Sequence, residues 1–208
     1  MTIQLSIHEV AFERNQEQLF QPIHATLEAG ELLQIQGVNG SGKSTLLRMI
    51  AGFIEPHAGR IEWQGQSIFQ QLSQYQSQLH YLGHQNGIKP MLTVDENLHL
   101  QCALWGNILH KRKRASVIEA IGLLSAINTL AHQLSAGQLR RLGFAKLLLN
   151  PAKIWILDEP MTALDTEGQG FFNAILKRHL ENNGIAIIAT HSDLMLKSQV
   201  RICRNVLN

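Results

Sequence analysis

The stretch Gly37-Val38-Asn39-Gly40-Ser41-Gly42-Lys43-Ser44-Thr45 decides how this chain reads. It fits G-x-x-x-x-G-K-[ST], with Gly37, Gly42, Lys43 and Ser44 at the required spacing. Before it, Glu31 to Gln36 form a short apolar run that predicts a strand. After it, Leu46 to Ala51 are apolar at helical spacing and are stopped by Gly52. A strand, a glycine loop and a helix make a phosphate cradle. The glycines let successive N–H groups turn inward, and the helix adds its positive N-terminal end. Lys43 can reach the terminal phosphates of a nucleoside triphosphate, and the Ser44 hydroxyl can ligate magnesium.

Outward from this loop, the composition is that of a folded protein. The chain has 208 residues, 45% hydrophobic and 16% charged, enough for a sizeable core and too apolar for disorder. A net charge of +2 with no basic and aromatic stripe gives no ground for nucleic-acid binding. Cys102 and Cys203 lack C-x-x-C spacing, so free thiols in a reducing compartment are expected rather than disulfides or zinc. The ten histidines show no metal-ligand spacing. No apolar run approaches the ~20 residues needed to span a bilayer, and the first residues lack the regions of a signal peptide. A cytoplasmic protein is expected.

Hydrophobic periodicity divides the chain. Ile3, Leu5 and Ile7 alternate with polar residues, and Ala25–Leu27 and Ile61–Trp63 read as further short strands, so the first third predicts a small sheet. From about Thr93 to Leu134 the period becomes helical, through Val94, Leu98, Cys102 and Trp105, then Val117, Ala120, Ile121 and Leu124. Gln138 to Leu149 predicts a long helix, ended by Asn150-Pro151. Strand and helix then alternate through Ile154–Leu157, Phe171–Leu180 and Ile185–Ala189, which implies a parallel sheet covered by helices. The basic run His110 to Arg114 is read as a solvated helix end or loop, with a surface for anionic lipid or a membrane partner as the alternative.

Two further stretches carry chemistry. Lys153 to Glu159 is an apolar run ending in two carboxylates, where open α/β sheets bind ligands. Asp158 is placed to hold magnesium with Ser44. Glu159, one residue beyond the strand, can face the γ-phosphate and act as general base on the attacking water. Leu134-Ser135-Ala136-Gly137-Gln138 precedes the long helix, with Ser135 a candidate N-cap and Ala136-Gly137 able to expose N–H groups.

With these stretches in order, the chain resembles the ATP-binding cassette (ABC) ATPases, whose signature motif Leu134 to Gln138 matches apart from Ala136 in place of the usual glycine. Gln85 falls at the family's glutamine loop, Met91 to Leu98 resembles the stretch after it, Thr162-Ala163-Leu164-Asp165 matches the D-loop, and Ala189-Thr190-His191 the switch histidine. Phe12 stands at the place of the adenine-stacking aromatic, with Phe20 also nearby. The resemblance implies an α/β fold of the P-loop NTPase type, a RecA-like parallel-sheet core with a small antiparallel β subdomain and a helical insert. Residues 1–84 and 135–208 would form the core and 85–134 the helical subdomain.

It also implies that ATP and Mg2+ bind at Gly37 to Thr45 with Phe12, and that Ser44, Gln85 and Asp158 serve the metal. Glu159, His191 and Gln85 would be the catalytic set. Leu134 to Gln138 would cap the nucleotide of an opposite protomer, with Asp165 in the D-loop, in a head-to-tail homodimer formed with ATP. Glu28–Ile35, Tyr81–Lys89, Leu134–Arg141 and Trp155–Pro160 are more specific, and resemble the subfamily of ATP-binding export proteins for cytochrome c biogenesis, the heme-exporter type. That subfamily implies a motor docked on a membrane permease at the cytoplasmic face of the bacterial inner membrane, working with cytochrome c maturation proteins, with no heme on this chain. Another transporter's ATPase subunit, or a soluble ABC-type ATPase without a permease, shares the same catalytic residues and stays open.

Overall fold

Short strands dominate the first third of the chain, as the alternation of Leu5 and Ile7 with polar residues requires. A computed structural model describes residues 4–14, 17–106, 111–191 and 202–207. In chain order the elements are β1 (Gln4–Ala11), β2 (Glu13–Arg14), β3 (Glu17–Gln18), β4 (Ile23–Glu28), β5 (Leu32–Gly37), α1 (Lys43–Ile50), β6 (Ala58–Trp63), β7 (Gln66–Ser67), α2 (Leu72–Gln76) and β8 (Leu79–Leu82). Then follow α3 (Val94–Leu104), α4 (Lys111–Ala120), α5 (Ala136–Leu149), β9 (Ile154–Asp158), α6 (Thr166–Glu181), β10 (Ile185–Ala189) and β11 (Ile202–Leu207). They fall into two compact units. One comprises Met1–Gly83, Ala152–Pro160 and Asn173–Asn208, the other His84–Pro151 and Met161–Phe172.

The first unit holds two larger sheets. An antiparallel sheet runs β4-β1-β6-β7, and a parallel sheet runs β11-β5-β10-β9-β8. In the antiparallel sheet β4 alternates buried and exposed residues along its length, and Leu5 pairs with both Leu27 and Trp63. Its β1 strand bulges between Ile7 and Val10, where Glu9 has φ 48°. Gly59 makes the bulge possible, because a Cβ there would lie 2.3 Å from the carbonyl oxygens of His8 and Glu9. Central strands β9 and β10 are buried at every position, which is why they read as unbroken apolar runs. Ile187 pairs with Leu33 on one side and Ile156 on the other. Leu33, Ile35, Leu47, Ile50, Ile156 and Ile187 belong to the core. Tyr75 is fully buried there, its hydroxyl donating to Ile50 O at 2.7 Å.

The second unit is helical. Val94, Leu98 and Cys102 of α3, Val117 and Ile118 of α4, and Leu142, Ala145 and Leu149 of α5 share its core. Thr93 and Glu96 form a reciprocal capping box at the start of α3. Arg114 ties α4 to α3 by donating to both Asp95 oxygens, at 2.8 and 2.9 Å. That guanidinium holds the Asp95 carboxyl below its usual range.

The compact units do not divide at 134/135, the boundary read from sequence. Helix α5 lies with the helical unit because its apolar face packs against α3 and α4, and the chain leaves that unit after Pro151. Helix α5 starts at Ala136, two residues before the expected Gln138, because Ser135 caps it. Helix α6 starts at Thr166, five residues before Phe171, because the Asp165 carboxylate accepts from Gly168 N at 2.8 Å. Strand β8 had no counterpart in the sequence reading. Of the basic run, Lys111 to Lys113 are exposed on α4, Arg114 is buried, and His110 lies outside the described residues. Cys102 is a buried thiol outside any disulfide among the described residues, while of Cys203 only the backbone is described. Among the described residues no helix is long and apolar enough to cross a membrane.

Candidate nucleotide-binding site

Strand β5 delivers the chain at Gly37 into the glycine loop, and α1 begins at Lys43. Gly42 stands at the N-cap with φ 93°, in the left-handed region. A Cβ there would lie 2.7 Å from Phe20 Cδ1 and 2.9 Å from Leu19 Cγ, so only glycine fits. No side chain caps α1, and no acidic residue lies in its first turn. Its N-terminal N–H groups are therefore left open to an anion, with no side chain competing for them. Val38, Asn39 and Gly40 are exposed at the crest of the loop. Ser41 is buried, its Oγ without a hydrogen-bond partner among the described residues. A buried hydroxyl left over in a loop of N–H donors fits a phosphate oxygen. Thr45 is half-buried one residue beyond Ser44.

Lys43 is 7% exposed, and its ammonium folds back over the loop. It donates to Gly37 O at 2.7 Å and Val38 O at 3.0 Å, and lies 3.3 Å from His191 Nε2. The charge is held at the loop by soft neutral acceptors, ready to turn to a stronger anionic one.

The ends of β9 and β10 complete this side. Asp158, 3% exposed, accepts from Ser44 Oγ at 2.6 Å, so the loop and the acidic strand meet directly. Burial, together with the Asp158 charge, pushes the Tyr81 phenol up. Glu159 leaves the strand at φ 46°, a conformation costing of order 1–3 kcal/mol in a residue that is not glycine. Its N–H donates to Ala189 O at 2.8 Å, pinning the turn to β10. Its Oε1 lies 3.2 Å from His191 Nε2, which is also 3.0 Å from Asn39 Oδ1. Nε2 of His191 thus faces Glu159 Oε1, Asn39 Oδ1 and the Lys43 ammonium at once, and its role as donor or acceptor follows its tautomer. Lys43, Ser44, Asp158, Glu159 and His191 are thereby brought together at the carboxyl ends of parallel strands.

Phe12 is half-buried and meets His57 edge-on, ring centroids 4.8 Å apart. Phe20 and Leu19 are the side chains that approach Gly42.

The helical unit carries the remaining residues singled out from sequence. Gln85 is exposed just after β8. Leu134 is buried, Ser135 and Ala136 are exposed, and Gly137 and Gln138 are half-buried. Ser135 Oγ accepts from Gln138 N at 3.2 Å, and Gln138 Oε1 accepts from Ser135 N at 2.9 Å. A Cβ at Gly137 would lie 3.0 Å from Ala163 O, so the signature and the D-loop are in close backbone approach. Arg141, to which the sequence reading gave no role, joins them. Its Nη2 donates to both Asp165 oxygens, at 2.8 and 3.1 Å. The Gly168 N–H and Arg141 together hold the Asp165 carboxyl below its usual range. The signal was its place in the Leu134–Arg141 segment, but nothing there names its partner.

Comparison with known proteins gives the site a context. Residues 20–162 match the family described as ABC transporter. A cytochrome c biogenesis ATP-binding export protein CcmA of Xanthomonas axonopodis pv. citri is 41% identical over 188 residues, 90% of this chain and 86% of that protein. The CcmA of Escherichia coli strain K12 is 41% identical over 202 residues, 95% of this chain and 94% of that protein. Among solved structures, an ATP-binding protein of a putative ABC transporter from Pyrococcus furiosus superposes with a TM-score of 0.82 at 25% identity, covering 98% and 97% of the two chains. A dimeric ATP-binding cassette bound to ADP and Pi gives a TM-score of 0.76 at 23% identity, covering 90% and 88%.

Proposed function

Starting from the fact that the chain belongs to the ABC transporter family of ATPases, we propose that it is the ATP-hydrolysing motor of a cytochrome c maturation complex of the heme-exporter type. The observation that carries ATP hydrolysis is the meeting of Lys43, Ser44, Asp158, Glu159 and His191 at the carboxyl ends of β5, β9 and β10, and the likeness to CcmA proteins supports the heme-exporter type. In this reading ATP lies with its phosphates on the Gly37–Thr45 loop, and Phe12 offers a face for adenine. Lys43 exchanges its loop carbonyls for the terminal phosphates. Ser44 and Asp158 are a hard oxygen pair suited to Mg2+, with Gln85 assigned to sense it. When bound, the metal supplies neutralisation of the charge that builds on the phosphate oxygens.

Glu159 takes the proton from the attacking water as that oxygen bonds to the γ-phosphorus and the bond to ADP breaks. His191, whose Nε2 lies 3.2 Å from Glu159 Oε1, is placed to steady that carboxylate and can turn to the γ-phosphate. The strained turn at Glu159 fixes its direction before ATP arrives. Two copies would pair head to tail around ATP, with Ser135, Gly137 and the neighbouring N–H groups capping the γ-phosphate held by the other copy. Loss of that phosphate would open the pair. The exposed start of α5 supports this use, because its capping box engages the Ser135 and Gln138 N–H groups and leaves those of Ala136 and Gly137 for the γ-phosphate. The partners are a membrane permease and cytochrome c maturation proteins at the cytoplasmic face of the bacterial inner membrane. Heme and nucleic acid are not assigned to this chain.

The test is to hold tagged Glu159→Gln protein with ATP in detergent-solubilised native membranes and identify what co-purifies. A permease together with cytochrome c maturation proteins is expected. A different permease would overturn the heme-exporter assignment and leave the ATPase chemistry standing, and the absence of any membrane protein would favour a soluble ATPase.

A further inference from the structure

One residue after Gln85, a single side chain is engaged from several directions by helix α5. Asn86 Oδ1 accepts from Arg140 Nη1 at 2.6 Å, and Asn86 Nδ2 donates to Leu139 O at 3.3 Å. The Asn86 backbone carbonyl accepts from Lys146 Nζ at 2.8 Å. Leu139, Gly143 and Lys146 share one helical face, and Gly143 leaves that face cut away. A Cβ at Gly143 would lie 3.2 Å from Asn86 Cγ and Oδ1, so the amide occupies the space a side chain would fill. On the other side, Lys89 N donates to Asn97 Oδ1 at 2.8 Å and Asn97 Nδ2 donates to Lys89 O at 3.1 Å. The segment from 86 to 89 is therefore bolted to α5 and to α3 at once.

Two cations turn toward this one neutral residue. Arg140 is 5% exposed, and burial, with Lys89 nearby, lowers the Lys146 ammonium below its usual range. Stability alone is served as well or better by apolar side chains at such sites. Buried polar bonds of defined direction hold one particular geometry instead. The segment they hold carries Gln85 at one end, and the helix they hold it to begins with the signature.

We propose that Asn86, backed by Arg140 and Lys146, is a positioning residue that fastens the Gln85 loop to the signature-bearing helix α5. Displacement of either is then transmitted to the other within the helical unit. Asn86 acts through Gln85 and touches no nucleotide, so this role rests on the reading of Gln85 given above.

The test compares hydrogen exchange with ATPase kinetics across Mg2+ concentrations, on full-length Asn86→Ala, Arg140→Met, Arg140→Lys, Gly143→Ala and Gln85→Ala. Asn86→Ala should speed amide exchange over residues 84–89 and leave β1 and β4 unchanged. It should also lower kcat about tenfold and raise the Mg2+ requirement, with the KM for ATP within about twofold. Arg140→Met should reproduce this, Arg140→Lys should retain most of the rate, and Asn86→Ala with Arg140→Met should be no worse than either alone. Gly143→Ala should resemble Asn86→Ala although alanine favours the helix. Unchanged exchange at 84–89, an unchanged kcat, or additive losses in the double variant would each overturn the proposal. If Gln85→Ala leaves kcat and the Mg2+ requirement as they were, the role of Gln85 falls, while the exchange data still decide whether Asn86 fastens the loop.

Discussion

Strand β9, which ends at Asp158 just before Glu159, rests on a half-buried histidine whose protonation should loosen it. His179 of α6 lies flat on Trp155 of β9, ring centroids 3.9 Å apart and planes 6° apart. Its Nε2 lies 3.0 Å from Ile185 O and donates to it. Gly184 gives the ring room, since a Cβ there would lie 2.2 Å from His179 Cε1. Burial, with a smaller effect from His80, pushes the imidazole from 6.5 down to about 4, against the opposing hydrogen bond to Ile185 O. A folded-state value below the unfolded one means that the unfolded chain binds the proton first. Stability is therefore lost as pH falls from about 6.5 toward 4, and the loss is complete below both values.

With 1.36 kcal/mol per unit, the two values make His179 cost about 2 kcal/mol between pH 7 and pH 5. The assay is urea unfolding of the wild type and of His179→Phe at both pH values. Phenylalanine keeps a ring on Trp155 and removes the titration. The wild type should lose about 2 kcal/mol more than the variant over this interval. Equal losses would refute a His179 held neutral in the fold.

Two other substitutions probe separate parts of the molecule. Lys43→Ala removes the cation that the loop holds at Gly37 O and Val38 O, and should weaken ATP binding by about 10- to 100-fold, read by titration with a fluorescent ATP analogue. Equal affinity would sink the phosphate cradle. Arg114→Met leaves Asp95 without its bidentate partner in a site where the two side chains are 10% and 20% exposed, and should cost about 1–3 kcal/mol in thermal or urea unfolding. Because Arg114 lowers the Asp95 carboxyl, its contribution is present above the ordinary carboxylate range and fades as pH falls through the lowered value. The gap between wild type and variant should therefore narrow in acid.

Much of the fold was legible because its central strands are buried on both faces. Ile154–Asp158 and Ile185–Ala189 read as apolar runs for the same reason that they sit mid-sheet. Leu79-His80-Tyr81-Leu82 escaped because four residues, half of them polar or amphipathic, give no period to detect. The start of α6 escaped because Glu167 to Gly170 carry no apolar signal, and the Asp165 cap shows only in its bond to Gly168. At the site, residue types and spacing pointed to Lys43, Ser44, Asp158 and Glu159, since phosphate and metal chemistry restricts which residues can serve. The left-handed turn at Glu159 and the fold-back of Lys43 depend on contacts across the sheet, which no local pattern records. Asn86 and Arg140 lie 54 positions apart and meet only in the folded helical unit, so neither stood out.

The decisive measurement follows ATP hydrolysis and oligomeric mass together, for wild type and Glu159→Gln, with ATP and Mg2+. Phosphate release by the wild type, none by Glu159→Gln, and an ATP-dependent dimer that persists in the variant are expected from Glu159 as the base in a nucleotide-bridged pair. Hydrolysis by Glu159→Gln at the wild-type rate would contradict it.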